Sequence, residues 1–280
     1  AGPHCTQLLA DLGADVIKIE ESKRGDDTRA WAPPSAPSQS SSNPEWDALP
    51  DESAYFLSTN RNKRSLGLNL KHPKGRKVVH DLVKKADVLV ENYLPGKLGK
   101  FGLGYEDCKK LNPQLVYASI TGYGQSGPYK DQPGYDVMIQ ADAGLMHCTG
   151  EADGSPTKTG VALTDLTTGL YAYSSILAAL IGRQKTGKGA WLDVSLFDCQ
   201  IASLANLASS YLIAGKEATR QGTAHPSIVP YQTFPTKDGS YIMIGAGNDS
   251  QFVVFAEALG RPEWPTNELY RTNAKRVENR

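Results

Sequence analysis

An aspartate placed directly ahead of a long helical pattern is the residue whose type and position could do covalent chemistry. Asp165 lies in the segment GVALTDLTTG at residues 160–169, and the helical pattern after it ends at Gly187, which suits the left-handed position that closes a helix. A helix N-terminus favours negative charge, and an ionised carboxylate can act as a nucleophile. Aspartate is equally at home as a helix N-cap, so the local sequence leaves a catalytic and a structural interpretation open.

Basic residues form a second candidate site. The segment NRNKRS at residues 60–65 is followed by Lys71, Lys97 and Lys100, all close to predicted turns or strand ends where a ligand can approach. Such charges could receive the phosphates of a nucleotide cofactor. Ordinary surface salt bridges explain them equally well.

Two turns follow predicted strands, where α/β folds bind their ligands. The first is ENYLPG at residues 91–96, which could also be a simple strand-to-helix turn. The second is GYGQSG at residues 122–127, whose glycines permit close approach to a ligand. It matches a dinucleotide fingerprint only formally, because Pro128 follows it instead of a helix. We therefore interpret it as a glycine-rich active-site turn.

The histidines and cysteines give weaker signals. The five histidines are dispersed, and only His225 is a candidate for the substrate site. The four cysteines lie far apart, without a CxxC pair or a histidine at ligand spacing, which predicts reduced thiols and no metal site.

The elements that must position these residues alternate along the chain. Short apolar or β-branched runs predict strands at 15–20, 65–70, 87–91, 115–121 and 191–196. Helical patterns lie between them at 5–12, 73–85, 105–111 and 165–185. This order predicts the α/β class, with a Rossmann-like parallel sheet flanked by helices. A long helix is expected at 196–214, and a hairpin at 231–234 and 241–245 around the turn 237–240.

The sequence also predicts the domain organisation of the chain. A large α/β domain is expected at 1–198, with a Ser- and Pro-rich surface insertion at 33–50, then a helical linker at 199–225 and the start of a smaller α+β domain at 226–280. Ala1 is expected in the end of a strand or loop and Arg280 in a helical pattern, so the chain looks truncated at both ends. No targeting segment can be read from it.

Composition excludes several partners. The 280 residues carry thirty basic and thirty acidic side chains, so no net field attracts nucleic acid or an anionic membrane. The longest apolar stretch, at 170–181, is too short to span a bilayer. We expect a soluble intracellular protein without nucleic-acid or membrane partners, and the mitochondrion is one candidate compartment for a longer protein.

Several motifs taken in order resemble the family III CoA-transferases, also known as the CaiB/BaiF type. The resemblance covers nearly the whole chain and is carried by residues 1–20, 60–65, 90–96, 186–189 and 193–196. It implies that Asp165 is the carboxylate that becomes acylated, with coenzyme A and acyl-CoA as substrates, no prosthetic group and no metal. It also implies a coenzyme A site and two residues near the chemistry, Tyr135 and Asp136. The implied coenzyme A residues are Leu68, Lys71, Asn92, Tyr93 and Lys100.

Within the family, residues 122–125, 144–150 and 222–231 are most similar to members that move coenzyme A from succinyl-CoA to a dicarboxylic acid such as glutarate. Related racemases of 2-methylacyl-CoA pair an aspartate with a histidine after a glycine, and Tyr135 stands at that position here. This favours the transferase, with the racemase and a non-catalytic CoA-binding fragment as alternatives. Relatives often carry arginine where this chain has Glu21.

The resemblance also bears on the extent of the chain. Family members have a first β-strand before the residue that matches Ala1, and a long C-terminal part that returns to the large domain. They form homodimers whose two chains interlock like rings. We expect the same of the full-length protein, and the small domain to be incomplete here.

Overall fold

The computed structural model describes residues 1–36 and 51–280, so most of the predicted insertion at 33–50 lies outside the described residues. By internal packing the chain divides into two units. The first comprises Ala1–Ala143 and Gly160–Ala205, and the second comprises Gly144–Thr159 and Asn206–Arg280. The limits at 198 and 225 stay a prediction of where the domains and their linker meet.

Helices and strands alternate along the described chain. The helices are α1 (Gly2–Asp11), α2 (Ala54–Asn60), α3 (Pro73–Val83), α4 (Tyr105–Leu111), α5 (Asp136–Asp142), α6 (Leu145–Cys148), α7 (Leu163–Thr186), α8 (Leu196–Ser203), α9 (Ala205–Ala214), α10 (Asp249–Ala258) and α11 (Asn273–Glu278). The strands are β1 (Val16–Glu20), β2 (Lys63–Gly67), β3 (Val88–Glu91), β4 (Val116–Thr121), β5 (Ala190–Ser195), β6 (Tyr231–Pro235) and β7 (Tyr241–Gly245).

Parallel strands flanked by helices make up the first unit, which confirms the predicted α/β class. The strands form two sheets: β1 pairs with β2, and β4 lies between β3 and β5. All six residues of β4 are buried, as the continuous run of apolar and small side chains predicts. The second predicted strand is displaced: it begins at Lys63 and ends at Gly67, before the expected end at residue 70.

The two faces of β4 pack against different helices because successive side chains of a strand point to opposite faces. Val116, Ala118 and Ile120 join a core cluster with residues of α1, α7 and α8. Tyr117 belongs to a second cluster with residues of α3 and α4. Helices therefore cover both faces of this sheet.

One edge of β1 and one edge of β3 border a common space. A cavity of about 520 Å³, here called the edge cavity, is lined by all five residues of β1 and by Leu89, Val90 and Glu91 of β3. Burial, with a smaller contribution from Asp193, raises the pKa of the Glu91 carboxyl. Among the described residues, β2 is the strand partner of β1 and β4 that of β3.

Two predicted helix boundaries are wrong. Ala1 does not end a strand or loop but is the N-cap of α1. The helix expected at 196–214 is broken between α8 and α9, where Ala205 has a φ of 34°. A positive φ at a residue with a side chain interrupts the α-helical backbone, so one apolar pattern gives two helices.

In the second unit, β6 and β7 pair antiparallel as predicted, in the register Tyr231↔Gly245. Buried Arg276 of α11 holds this unit together, because it donates to the Val229 and Tyr270 carbonyls and to Asp249. In the part of the chain that the structure describes, none of the helices has the length and apolarity needed to cross a membrane.

Candidate active site

Asp165 lies in the first turn of α7, two residues after the helix begins. The N-cap of α7 is Ala162, which provides no side-chain hydrogen bond. Asp165 is therefore not the N-cap of this helix, and the N-cap interpretation of this aspartate is wrong. Its backbone N–H instead donates to Oδ1 of Asp136 at 3.1 Å, so a carboxylate from α5 caps the helix.

The carboxylate of Asp165 is half-buried and faces the start of α1. Its Oδ1 accepts a hydrogen bond of 3.0 Å from the backbone nitrogen of Ala1. The N-termini of α1 and α7 thus both lie beside this carboxylate, and both carry partial positive charge. The local field favours anions.

Asp165 opens onto a cavity of about 340 Å³, here called the Asp165 cavity. Of the site residues predicted from the sequence, this cavity brings together Asp165, Asn92, Tyr93 and Tyr135. The other described lining residues are Ala1, Gly2, Pro3, His4, Thr28, Trp31, Tyr55, Thr59, Leu94, Ile120, Thr121, Gly122, Pro133, Gly134, Ala162, Leu166 and Leu196.

The cavity lies at the carboxyl ends of β3 and β4, as the sequence predicts for a ligand site in a parallel sheet. Asn92 directly follows β3 and Gly122 directly follows β4. Gly122 is needed for packing, because a Cβ on it would come 2.6 Å from the Cα of Gly134. Only glycine permits two backbones to approach so closely, so the glycine-rich turn has a steric role in shaping the cavity wall.

An aromatic wall of this cavity was missed from the sequence. Trp31 and Tyr55 pack with ring centroids 5.1 Å apart. Buried Ser53 ties them together, because its hydroxyl donates to the Trp31 carbonyl at 2.8 Å and accepts from Tyr55 N–H at 3.1 Å. Trp31 and Tyr55 stand on either side of the predicted insertion at 33–50 in the sequence, and that position was the available signal.

Burial, and then the negative charges of Asp165 and Asp136, raise the pKa of the Tyr55 phenol. Tyr55 therefore stays a neutral hydrogen-bond donor at the pH of a cell. The second carboxylate oxygen of Asp136, Oδ2, accepts a hydrogen bond of 2.6 Å from buried Gln140, which fixes the side chain of Asp136.

The remaining predicted residues do not line the Asp165 cavity. Leu68 packs against the second core cluster, the Lys71 N–H donates to Asn69 Oδ1, and Lys100 lies in the 3₁₀ turn Leu98–Phe101. His225 belongs to the second unit, where its Nδ1 accepts from Ser227 N–H at 3.1 Å. Asp136 does not line this cavity but acts on it through its hydrogen bond with the N–H of Asp165 and its charge near Tyr55.

The basic segment at 60–65 is already paired. Arg61 and Arg64 form ion pairs with Asp11 and Asp15. Half-buried Lys63 donates to the Pro3 and Thr59 carbonyls, and burial lowers its pKa to about 8. In the structure these three cations bind carboxylates and backbone carbonyls of the chain itself, and they do not form a phosphate site.

Glu21 accepts the N–H groups of Lys23 and Arg24, and its side chain borders the edge cavity. Over residues 1–36 and 51–280, no group of three or more His, Cys, Asp or Glu side chains could hold a metal ion. The candidate chemistry is therefore that of the Asp165 carboxylate, which lies in a cavity beside the positive N-termini of α1 and α7.

The first unit is thus a parallel α/β domain with a carboxylate at a cavity beside the strand ends. Comparison with known proteins identifies its family. All 280 residues match the family described as CoA-transferase family III, and the chain belongs to this family. It is 52% identical over its whole length to human succinyl-CoA:glutarate CoA-transferase, of which it spans 61%. It is 47% identical to a succinate–glutarate CoA-transferase of Agrobacterium fabrum, of which it spans 68%.

The fold agrees with this assignment. A crystal structure of a CaiB/BaiF family protein from Brucella suis superposes with a TM-score of 0.86 at 48% identity. The match covers all of this chain and 71% of that one.

Proposed function

We propose that this chain acts in a CoA-transferase that moves coenzyme A from an acyl-CoA donor such as succinyl-CoA to a dicarboxylic acid such as glutarate. The main support for this proposal is that Asp165, in the first turn of α7, opens onto a cavity at the carboxyl ends of β3 and β4. The names of the human and Agrobacterium relatives supply the substrate class.

Asp165 is the nucleophile in this proposal. Its carboxylate attacks the thioester carbonyl, the C–S bond breaks, and coenzyme A leaves as a thiolate with a mixed anhydride left on the enzyme. The thiolate then attacks the Asp165 carbonyl of the anhydride, the donor acid leaves as a carboxylate, and an enzyme thioester forms. The acceptor carboxylate repeats these steps in reverse. Two covalent steps conserve the thioester's free energy, provided that water is excluded.

Backbone N–H groups around Gly122 and Gly134 are the proposed stabilisers of the tetrahedral oxyanions. Fixed donors aimed at developing charge are among the strongest catalytic devices in proteins. The close contact between these two glycines supports the idea, since it holds the peptide groups of both turns against the cavity.

The proposed coenzyme A site comprises Asn92 and Tyr93 at the cavity, with Leu68, Lys71 and Lys100 farther from it. Asn92 and Tyr93 line both the Asp165 cavity and the edge cavity, which supports a path for the long pantetheine arm between the two. Burial raises the pKa of Tyr93, so its phenol is neutral near the thioester. Acyl-CoA is the substrate and no prosthetic group takes part; a homodimer is the proposed assembly of the full-length protein.

The test is covalent trapping. The chain is incubated with succinyl-CoA, quenched with hydroxylamine, and its peptides are mapped by mass spectrometry. We expect the hydroxamate at Asp165, its loss in Asp165→Ala, and its retention in Asp142→Ala, whose carboxylate binds Tyr123 instead. Absence of the hydroxamate from Asp165 in the parent chain, or equal transfer by Asp165→Ala, would refute the proposal. Incorporation of deuterium from deuterated water at the α-carbon of the acyl-CoA, in the absence of an acceptor acid, would indicate the racemase instead.

A further inference from the structure

His4 is a cavity residue to which the proposed mechanism gives no role. It lies in the first turn of α1 and lines the Asp165 cavity. Among the described lining residues there is no lysine or arginine side chain. A dicarboxylic acid brings a second negative charge into this cavity, and the imidazole is a ring donor available to meet it.

Buried Gln7 determines which nitrogen of His4 carries the proton. The Gln7 amide oxygen faces Arg61, because in that orientation it accepts from Nη1 at 2.7 Å and Nη2 at 2.5 Å. These two bonds outweigh a long contact of 3.4 Å to Asp11. The amide NH₂ group then faces His4 Nδ1 at 3.4 Å. Nδ1 is therefore an acceptor, and Nε2 bears the hydrogen in the neutral ring.

The position of His4 along α7 matches the length of a dicarboxylic acid. Its Cδ2 would lie 2.9 Å from a Cβ on Gly169, four residues after Asp165. Four helical residues rise about 6 Å. The two carboxyl carbons of an extended five-carbon diacid are separated by four carbon–carbon bonds, or roughly 5 Å. One carboxylate at Asp165 thus places the other at the level of His4.

We propose that His4 is a specificity-determining residue, whose Nε2–H binds the unreacting carboxylate of the dicarboxylic acceptor. Gln7 is the positioning residue that fixes this tautomer, with Arg61 behind it. The inference rests on the proposed transferase function and names the group that selects a diacid over a monoacid.

The tautomer is tested first, by ¹⁵N NMR of the chain labelled at histidine. His72 and His225 are internal standards, because the Nδ1 of each accepts a backbone N–H. We expect His4, assigned by its absence in His4→Phe, to show the same Nε2–H form. Gln7→Glu keeps the shape but presents an acceptor, so it should switch His4 to Nδ1–H. A parent His4 in the Nδ1–H form would overturn the proposal.

Specificity is tested with glutarate and with pentanoate, a monoacid of the same length. A hydrogen bond to a charged group corresponds to about a tenfold change in affinity. We expect His4→Phe and Gln7→Glu to raise KM for glutarate about tenfold, with kcat and the KM for pentanoate within about twofold of the parent. Equal changes for both acids, or a fall in kcat alone, would contradict the role.

Binding without turnover separates the two proposals. Glutarate should shift the His4 Nε2 resonance at concentrations where pentanoate does not, whether or not transfer occurs. A shift in a chain that forms no acyl-Asp165 would refute the transferase but keep the diacid site. Acylation of Asp165 without any shift would refute the role of His4 alone.

Discussion

At the scale of residues, two carboxylates divide the work of the site. Asp165 presents its side chain to the cavity, while Asp136 binds the N–H of Asp165 and Gln140 at the same time. A helix whose N-cap is alanine lacks its usual side-chain acceptor. Asp136 supplies that acceptor from another helix, and we infer that it positions the nucleophile.

Replacement of Asp136 tests this positioning. Loss of a helix-capping acceptor costs about 1–2 kcal/mol, which corresponds to roughly a ten- to thirtyfold change in rate if it misplaces the nucleophile. We expect Asp136→Ala to lower kcat by that amount with little change in KM for acyl-CoA. Steady-state kinetics of the purified variants would measure both.

Asn at this position is the informative control. Asp136→Asn keeps an oxygen for the Asp165 N–H but removes the charge, so we expect kcat within about threefold of the parent. If Asn were as harmful as Ala, the charge of Asp136 would matter more than the cap, and the positioning role would be wrong.

The sequence could predict Asp165 and the Asn92 turn because each lies at an element boundary visible in the local pattern. It could not predict Trp31, Tyr55 or His4, because nothing local to these residues says which cavity they face. Their place depends on long-range contacts such as that of Ser53 with the Trp31 carbonyl. Local patterns carry no information on such contacts.

At the scale of elements, the close packing of α1 on α7 brings His4 to the cavity. At Gly169 a Cβ would lie 2.9 Å from His4 Cδ2 and 3.1 Å from the Ala1 carbonyl oxygen. The second contact is with backbone, which cannot move aside as a flexible side chain could. The glycine is therefore a requirement of the helix crossing.

Gly169→Ala tests this requirement. Alanine is favoured over glycine in a helix interior by about 1 kcal/mol, whereas overpacking a well-filled contact costs typically about 1–3 kcal/mol. The clash with backbone should prevail, so we expect the free energy of unfolding to fall by roughly 1–2 kcal/mol. Urea unfolding monitored by circular dichroism would measure it.

Gly182 of the same helix provides the matched control, because a Cβ there would have no neighbour within 4 Å. Gly182→Ala should stabilise the chain by about 0.5–1 kcal/mol. Stabilisation by both substitutions would show that α1 yields at Gly169 and that the packing is not tight.

Most helices and strands could be predicted from the spacing of apolar residues and from the glycines and prolines between them. The errors have physical causes. Residues 68–70 look like strand, but β2 ends at Gly67, where its ladder with Glu20 of β1 also ends. The pattern at 196–214 stays apolar across Ala205, so it cannot reveal a break caused by one backbone angle. Each boundary depends on a partner element that composition does not specify.

At the scale of the whole molecule, a partly buried ion network connects segments of the first unit that are distant in sequence. Glu20 of β1 accepts two bonds of 2.9 Å from Arg29, one from Ser65 of β2 and one from the Asp26 N–H. Arg29 also pairs with Glu52 and lies 3.9 Å over the Phe56 ring. The turn that carries Trp31 is thereby fixed to the sheet and to α2.

This network predicts how stability changes in acid. The Arg29 guanidinium, followed by the Ser65 and Asp26 donors, lowers the pKa of Glu20 from 4.5 to about 2. A folded pKa below the unfolded one stabilises the protein above the unfolded value, and the stabilisation is lost as pH falls towards the folded value. The shift corresponds to at most about 3 kcal/mol, lost between about pH 4.5 and pH 2.

Arg29→Met should remove this contribution while it keeps apolar contact with Phe56. Because Glu20 would then be buried without its cation, we expect the free energy of unfolding at pH 7 to fall by about 3 kcal/mol. The loss of stability on going from pH 4.5 to pH 2 should shrink with it. Urea midpoints followed by tryptophan fluorescence across this range would record both effects.

Arg64→Met is the control, because the Arg64 to Asp15 pair is exposed on both sides, at 67% and 71% of the side chains. Exposed pairs contribute about 0–1 kcal/mol, so the unfolding curves of this variant should stay close to those of the parent at every pH. The contrary outcome is that Arg29→Met leaves the loss of stability between pH 4.5 and about pH 2 unchanged. The acid sensitivity would then arise from carboxylates other than Glu20, and the network would not be what holds the Trp31 turn against the sheet.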